Sequence, residues 1–348
     1  MRREAAIQLL GPMLLVVLVG IASEFVSPAN DIYFLDALIA VAMVVAIYVF
    51  VGNSGVLSFG HVSFVAIGAF GAGVMTIPTE SKSGVLPDLF PLLRDHTIGN
   101  VPSLILAAAL GGVLAFLIGI PLMRLSGLAA SIATFAVLQI AYNVLSNWTS
   151  IGPGATTLPL VPESTGGLQA VIGVLIVIVV AFAYQQSRFG RLLRASREDA
   201  AAAEGVGVNV HRQRLWAFTL SGALAGFSGA LYVHMLGSIT ADSVYLDLTF
   251  LTLAMLVVGG ATSLWGAVLG ALVVSGLDSF LSQAEAGVNV GIKLDLPQGS
   301  TLVILGAAMA LVLILRPSGI TGGREFRIPG LPRARAAAPP TPTEGSDQ

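Results

Sequence analysis

Long apolar runs broken by short polar stretches fill most of this chain, and within each run the apolar positions are nearly continuous rather than striped. Ten runs approach the roughly 20 apolar residues that a bilayer-spanning helix needs. They lie at 9–27, 35–51, 57–77, 102–122, 125–146, 168–184, 215–236, 246–260, 263–282 and 300–315. This pattern predicts an all-α polytopic membrane helical bundle of about ten transmembrane crossings, occupying residues 1–321. The 246–260 run is short and closes on Gly259-Gly260, so it also fits a re-entrant or broken helix. Arg2 and Arg3 followed by Leu9–Ile21 look like a signal peptide, with Ala22-Ser23 as a weak cleavage site. The many runs that follow favour an uncleaved first crossing.

Charge orients the bundle. Cytoplasmic loops collect Lys and Arg. With Arg2 and Arg3 inside and the sides alternating, 14 of the 17 basic residues fall inside, and Lys82, Arg94 and Lys293 fall outside. An even number of crossings is needed to keep the C-terminal arginines inside, so both termini are expected to be cytoplasmic. The external loops 78–101, 147–167 and 283–299 carry Pro, Gly and scattered acids. The tail 322–348 has too few large apolar residues to fold and is expected to be disordered.

Composition agrees and excludes several chemistries. Only 10% of residues are charged against 55% hydrophobic, whereas a soluble domain carries about 25% charged residues. The net charge of −2 gives no basic excess for nucleic acid. There is no cysteine, hence no disulfide and no thiol chemistry. Lys82 and Lys293 are the only lysines and neither follows glycine, so the chain has no phosphate-wrapping loop of the Gly-x-x-x-x-Gly-Lys type. His-Glu-x-x-His and Gly-x-Ser-x-Gly are absent too. An enzyme is not expected, nor any cofactor bound by this chain.

The internal segment 185–214 is long, polar and helix-compatible. Arg191, Arg194 and Arg197 recur every three residues, and the stretch Glu198 to Glu204 is rich in Ala and Glu, both strong helix formers. Gly205 or Gly207 can stop such a helix. A short helix with alanines on one side can enter a groove on another protein. The competing reading is a solvated linker whose arginines only fix topology.

Motifs along the chain bear on that choice. Glu198, Ala202, Ala203 and Gly207 match the spacing of the coupling loop of importer permeases. In order along the chain come Gly55-Val56-Leu57-Ser58-Phe59-Gly60-His61, Ser187-Arg188-Phe189-Gly190-Arg191, Ser221-Gly222-Ala223-Leu224-Ala225-Gly226, Val258-Gly259-Gly260-Ala261 and Arg316-Pro317-Ser318-Gly319-Ile320. Together these resemble the branched-chain amino acid permease family of ATP-driven importers, and within it the longer of two paired permeases. Two departures stand out. Thr149-Ser150-Ile151-Gly152-Pro153-Gly154-Ala155 replaces a common Thr-Gly-Gly-x-x-Gly-Leu, and Ala261 replaces a usual glycine.

The resemblance implies a complex in a bacterial cytoplasmic membrane. Its parts are this chain, a second homologous permease, two ATPase subunits that bind the ATP, and an extracytoplasmic substrate-binding protein. It implies ATPase coupling through Arg191, Arg194, Glu198, Ala202, Ala203 and Gly207. The implied cargo is a branched-chain or related apolar amino acid. The alternatives are a urea or short-amide importer of the same family and, further off, a secondary transporter.

Within the runs, polar groups are functional candidates. His61 starts the third run, Asp278 sits late in the ninth, and Gln139 and Asn143 share one face of the fifth. His61, Gln139 and Asn143 are the candidates for a translocation pathway, with a structural hydrogen-bonding role for His61 as the plainer reading. Small residues four apart, such as Gly222 with Gly226 and Gly111 with Ala115 and Gly119, predict close helix packing inside the subunit.

Overall fold

In the computed structural model, residues 2–25, 28–286, 297–316 and 318–322 are described. The disordered-tail expectation for 322–348 and most of the 283–299 loop therefore lie outside the described residues. Fourteen α-helices are found among the described residues: α1 Arg2–Glu24, α2 Pro28–Ser54, α3 His61–Thr76, α4 Thr79–Val85, α5 Pro91–Arg94, α6 Asn100–Leu122, α7 Gly127–Asn147, α8 Gly167–Gln186, α9 Arg188–Glu198, α10 Ala200–Gly205, α11 Val210–Leu236, α12 Leu246–Gly259, α13 Leu264–Glu285 and α14 Ser300–Leu315. An isolated antiparallel bridge, Leu158 with Ile239, is the extended pairing seen among them.

Every one of the ten expected runs is a helix. Seven helices are long and apolar enough to cross a membrane, and α3 with α4 makes an eighth if the pair, bent by 117°, is one span. Two further apolar helices, Ile7–Ser23 and Ser300–Val312, fall below that length. The broken helix considered for 246–260 is not there: α12 runs unbroken to Gly259 and stops at Gly260, whose φ is 118°. The bend sits instead after Thr76, where Pro78 removes a backbone donor and starts a new helix.

Two helices form the centre. Apolar residues on all sides of α2, from Leu38 to Phe50, are buried, as a helix apolar all round requires. Beside it runs α11, which packs on α2, α3 and α6. Small residues set those approaches. A Cβ on Gly226 would stand 2.3 Å from the Ala107 carbonyl oxygen, and one on Gly229 would stand 2.0 Å from that of Val65. The Ser221 hydroxyl donates to the Ala46 carbonyl at 2.6 Å across the α11–α2 seam. The small-residue stripes read from the sequence thus close seams inside the subunit, where lipid offers no hydrophobic drive and contact must come from close packing. Toward the outside, α8 exposes Leu168, Ile172 and Ile176, and α14 exposes Leu302, Val303 and Ile314. Those are faces for lipid, not water.

The bundle has two distinct ends. At one, the C-terminal end of α2 meets α9, and residues 318–322 return under α12: the Ile320 amide donates to Val258 at 2.8 Å. At the other, the loops pin one another. The Leu158 amide donates to Ile239 at 2.8 Å, that of Phe90 to Ser150 at 3.0 Å and that of Ile98 to Met75 at 2.9 Å. The 148–166 loop is nonhelical, as its Gly and Pro content suggests.

Candidate functional site

The segment between α8 and α11 is built from three successive N-caps. Ser187 accepts from the Gly190 amide at 3.1 Å, Asp199 from that of Ala202 at 2.9 Å, and Asn209 from that of Arg212 at 2.9 Å. Each satisfies a donor left open by the first turn of a helix. The sequence predicts one helix over 198–207. The structure has two, because Asp199 leaves helical geometry (φ −150°, ψ 105°) and starts α10 afresh. The expected loop also ends early, with α11 beginning at Val210.

The regularly spaced arginines separate into two roles. The Arg194 guanidinium donates to the Gln185 carbonyl at 2.6 Å, and that of Arg197 to the Gly52 carbonyl at 2.9 Å. Those carbonyls lie in the last turns of α8 and α2, where a cation is favoured by the helix dipole. Gly55, with φ +72°, makes room: a Cβ there would lie 2.6 Å from Cγ of Arg197. Arg194 and Arg197 therefore fasten α9 to the bundle, while Arg191 is left exposed. Glu198 pairs with Arg197 at 2.8 Å and is otherwise exposed.

The alanines separate as well. Ala203 is buried against its own chain and so does not face outward, whereas Ala202 is exposed. Gly207 has φ +85° with open space around it. Val206, which the sequence reading passed over, is 82% exposed. The segment thus presents Ala202, Val206 and Gly207 at the tip of a braced arm.

Four of the five sequence motifs meet at this end, while Ser221–Gly226 lies inside the bundle against α2, α3 and α6. Arg197 reaches the 52–55 segment, and a Cβ on Gly52 would touch the Ala261 carbonyl at 2.6 Å. Gly319 lies so close to Gly260 that a Cβ would meet its nitrogen at 2.6 Å. Segments far apart in the chain are brought to one place.

His61 does not share a surface with Gln139 and Asn143. It is buried, its Nδ1 is 2.7 Å from the Ser58 hydroxyl, and Phe50, Phe64 and Phe218 pack around the ring. Gln139 and Asn143 line a shallow groove of about 880 Å³ on α7, with Phe135, Asn147 and Trp148. Beside it the turn after α11 meets α7: the Tyr245 hydroxyl donates to Oε1 of Gln139, the Tyr142 hydroxyl donates to Asp242 at 2.7 Å, and the two tyrosine rings stack 4.0 Å apart. No local signal connects positions some hundred residues apart, so the sequence could not pair them. Asp278 on α13 and Asp36 on α2 are half-buried. Each lies about two turns from the end that carries the 148–166 loop, so neither sits at mid-span. Among the described residues no group of three or more His, Asp or Glu side chains could hold a metal ion.

Comparison with known proteins joins these observations. LivM, the high-affinity branched-chain amino acid transport system permease protein of Escherichia coli (strain K12), is 27% identical over 78% of this chain and 65% of its own length. The chain thus spans just under two thirds of that relative. A probable branched-chain amino acid transport permease protein LivH of Methanocaldococcus jannaschii is 24% identical, covering 78% of this chain and 84% of that one. The nucleoside ABC transporter permease protein NupC of Lactococcus lactis subsp. cremoris is 26% identical over 70% and 78%. The profile of the family described as branched-chain amino acid transport system / permease component matches residues 31–313, most of the chain and all of its central helices, and the chain belongs to that family.

Proposed function

We propose that this chain is a membrane-spanning permease subunit of an ATP-binding-cassette importer for branched-chain or related apolar amino acids. The observation that carries this reading is the braced arm of α9 and α10. A solvated linker needs neither three N-caps nor two arginines bound to helix ends. An arm that must pass on a displacement needs both. The chain has no nucleotide-binding loop, so energy enters from separate ATPase subunits, and the exposed tip at Ala202, Val206 and Gly207 is where they dock.

The remaining parts follow from the two ends. Seven long helices, the bent α3–α4 pair and the two shorter apolar helices make ten crossings, which put both termini and the arm in the cytoplasm of a bacterial cell. The opposite end, with its pinned 148–166 loop, receives the substrate-binding protein. The groove at Gln139 and Asn143 is shallow and open, and a second permease supplies its other wall. Buried among aromatic rings, His61 is a packing group here and not part of the path.

Orientation is tested in a background that has no cysteine of its own. Ala200→Cys in the exposed arm is expected to react only after the membrane is permeabilised. Labelling in intact cells by an impermeant reagent would invert the topology. The cargo is tested by uptake of radiolabelled leucine into cells expressing the transporter. Valine and isoleucine are expected to compete while urea and nucleosides do not, and competition by a nucleoside instead would reassign the cargo and leave the importer class intact.

A further inference from the structure

Next to the groove at Gln139 and Asn143, and sharing Ile140, Val144 and Trp148 with it, lies a second space, a cleft of about 850 Å³ walled by α3, α6 and α7. Its α6 wall is a ladder of Leu106, Leu110, Leu114 and Ile118, four residues apart and so on one helix face. The adjoining ladder of Ala107, Gly111 and Ala115 is the one pressed against α11. The leucine ladder is left only partly covered, because α7 stands away from α6 and touches it at few places. The cleft is apolar along its depth. Its amphipathic lining residues, His96 and Trp148, sit at one end, as such side chains do where hydrocarbon meets headgroups. That end is rigid. The Lys82 ammonium is buried and donates to the Leu93 carbonyl at 2.8 Å and to that of His96, holding the rim in place.

We propose that this cleft binds one acyl chain of a membrane phospholipid, with the headgroup at the His96 and Trp148 rim. Its length and its lining select that occupant. From Leu106 to Ile118 the ladder is about 18 Å long at 1.5 Å per residue. One leaflet of a hydrocarbon core about 30 Å thick reaches about 15 Å, so an acyl chain fills the length. Water does not fill it, because it needs two to four polar partners and the depth of the cleft offers none. The lipid would fill the gap between α6 and α7, supporting the helix that carries Gln139, Tyr142 and Asn143.

The test uses the full chain in nanodiscs made with a phospholipid bearing a diazirine at the end of one acyl chain. After irradiation and digestion, adducts are mapped by mass spectrometry. Adducts are expected on Leu110 or Leu114 in addition to those on lipid-facing Leu168. Ala141→Trp, and separately Leu110→Phe, narrow the cleft and are expected to reduce the Leu114 adduct several-fold while the Leu168 adduct is unchanged, which also shows that the bundle is intact. The proposal is overturned if the cleft residues carry no adduct, if both variants leave their labelling unchanged, or if a peptide of a partner or a second copy is found crosslinked there instead.

Discussion

Gly229→Val is expected to eliminate the folded protein, although it adds only three carbons to an apolar helix. A Cβ at this position stands 2.0 Å from the Val65 carbonyl oxygen and 2.8 Å from its carbon. Both are backbone atoms of α3, so no rotamer change relieves the clash. The helices must separate, and the same seam holds Gly68 against Gly226. Overpacking costs about 1–3 kcal/mol when side chains can yield, and here the cost lies at or above that upper value. The measurement is the monodisperse peak of a fluorescent fusion extracted in mild detergent. Gly276→Ala is the control: it has open space around it on α13, and alanine favours helix. Its peak should match the wild type. A normal peak for Gly229→Val would show that α11 and α3 do not cross as described.

Gly207→Val is expected to abolish uptake while leaving the amount of folded protein unchanged. The backbone at Gly207 is left-handed (φ +85°) and no atom would touch a Cβ. The penalty is therefore conformational, about 1–2 kcal/mol, and falls on the exposed turn after α10. That is enough to rebuild the tip and too little to unfold the bundle. Gly205→Ala is the matched control, since its neighbourhood is equally open and its φ is ordinary. Ala203→Trp, attractive from the sequence because the alanines look poised to enter a groove, is a poor probe. Ala203 is buried against its own chain, and a large side chain there would deform the arm itself. Uptake at the wild-type rate by Gly207→Val would mean that the shape of this turn is not used.

The apolar helices were legible because long apolar runs mark them, although only seven are long enough by themselves to cross a membrane. Which helices lie at the centre was not. Both α2 and α14 read as uniformly apolar, yet α2 is buried on all sides and α14 exposes Leu302, Val303 and Ile314. Lipid and protein core have the same polarity, so an apolar pattern cannot tell one from the other. The 185–214 segment stood out by its motif, and its inner layout was missed. Spacing grouped Arg191, Arg194 and Arg197, but only the last two find helix-end carbonyls. The break at Asp199 had a local signal, an Asp directly before a helix-forming run, which the helix propensity around it obscured. The pairing of Tyr142 with Asp242 and of Gln139 with Tyr245 depends on how α7 meets the turn after α11, and no local pattern carries that.

The central claim is that the tip of the α9–α10 arm receives the motion of a separate ATPase. It is tested most directly by placing a photo-crosslinking amino acid at Val206, which is exposed and so tolerates the change, in cells that also make the partner subunits. The account predicts a crosslink from Val206 to an ATPase subunit and none from Leu160, an exposed residue of the 148–166 loop at the opposite end. A crosslink to the ATPase from Leu160 and not from Val206 would contradict it.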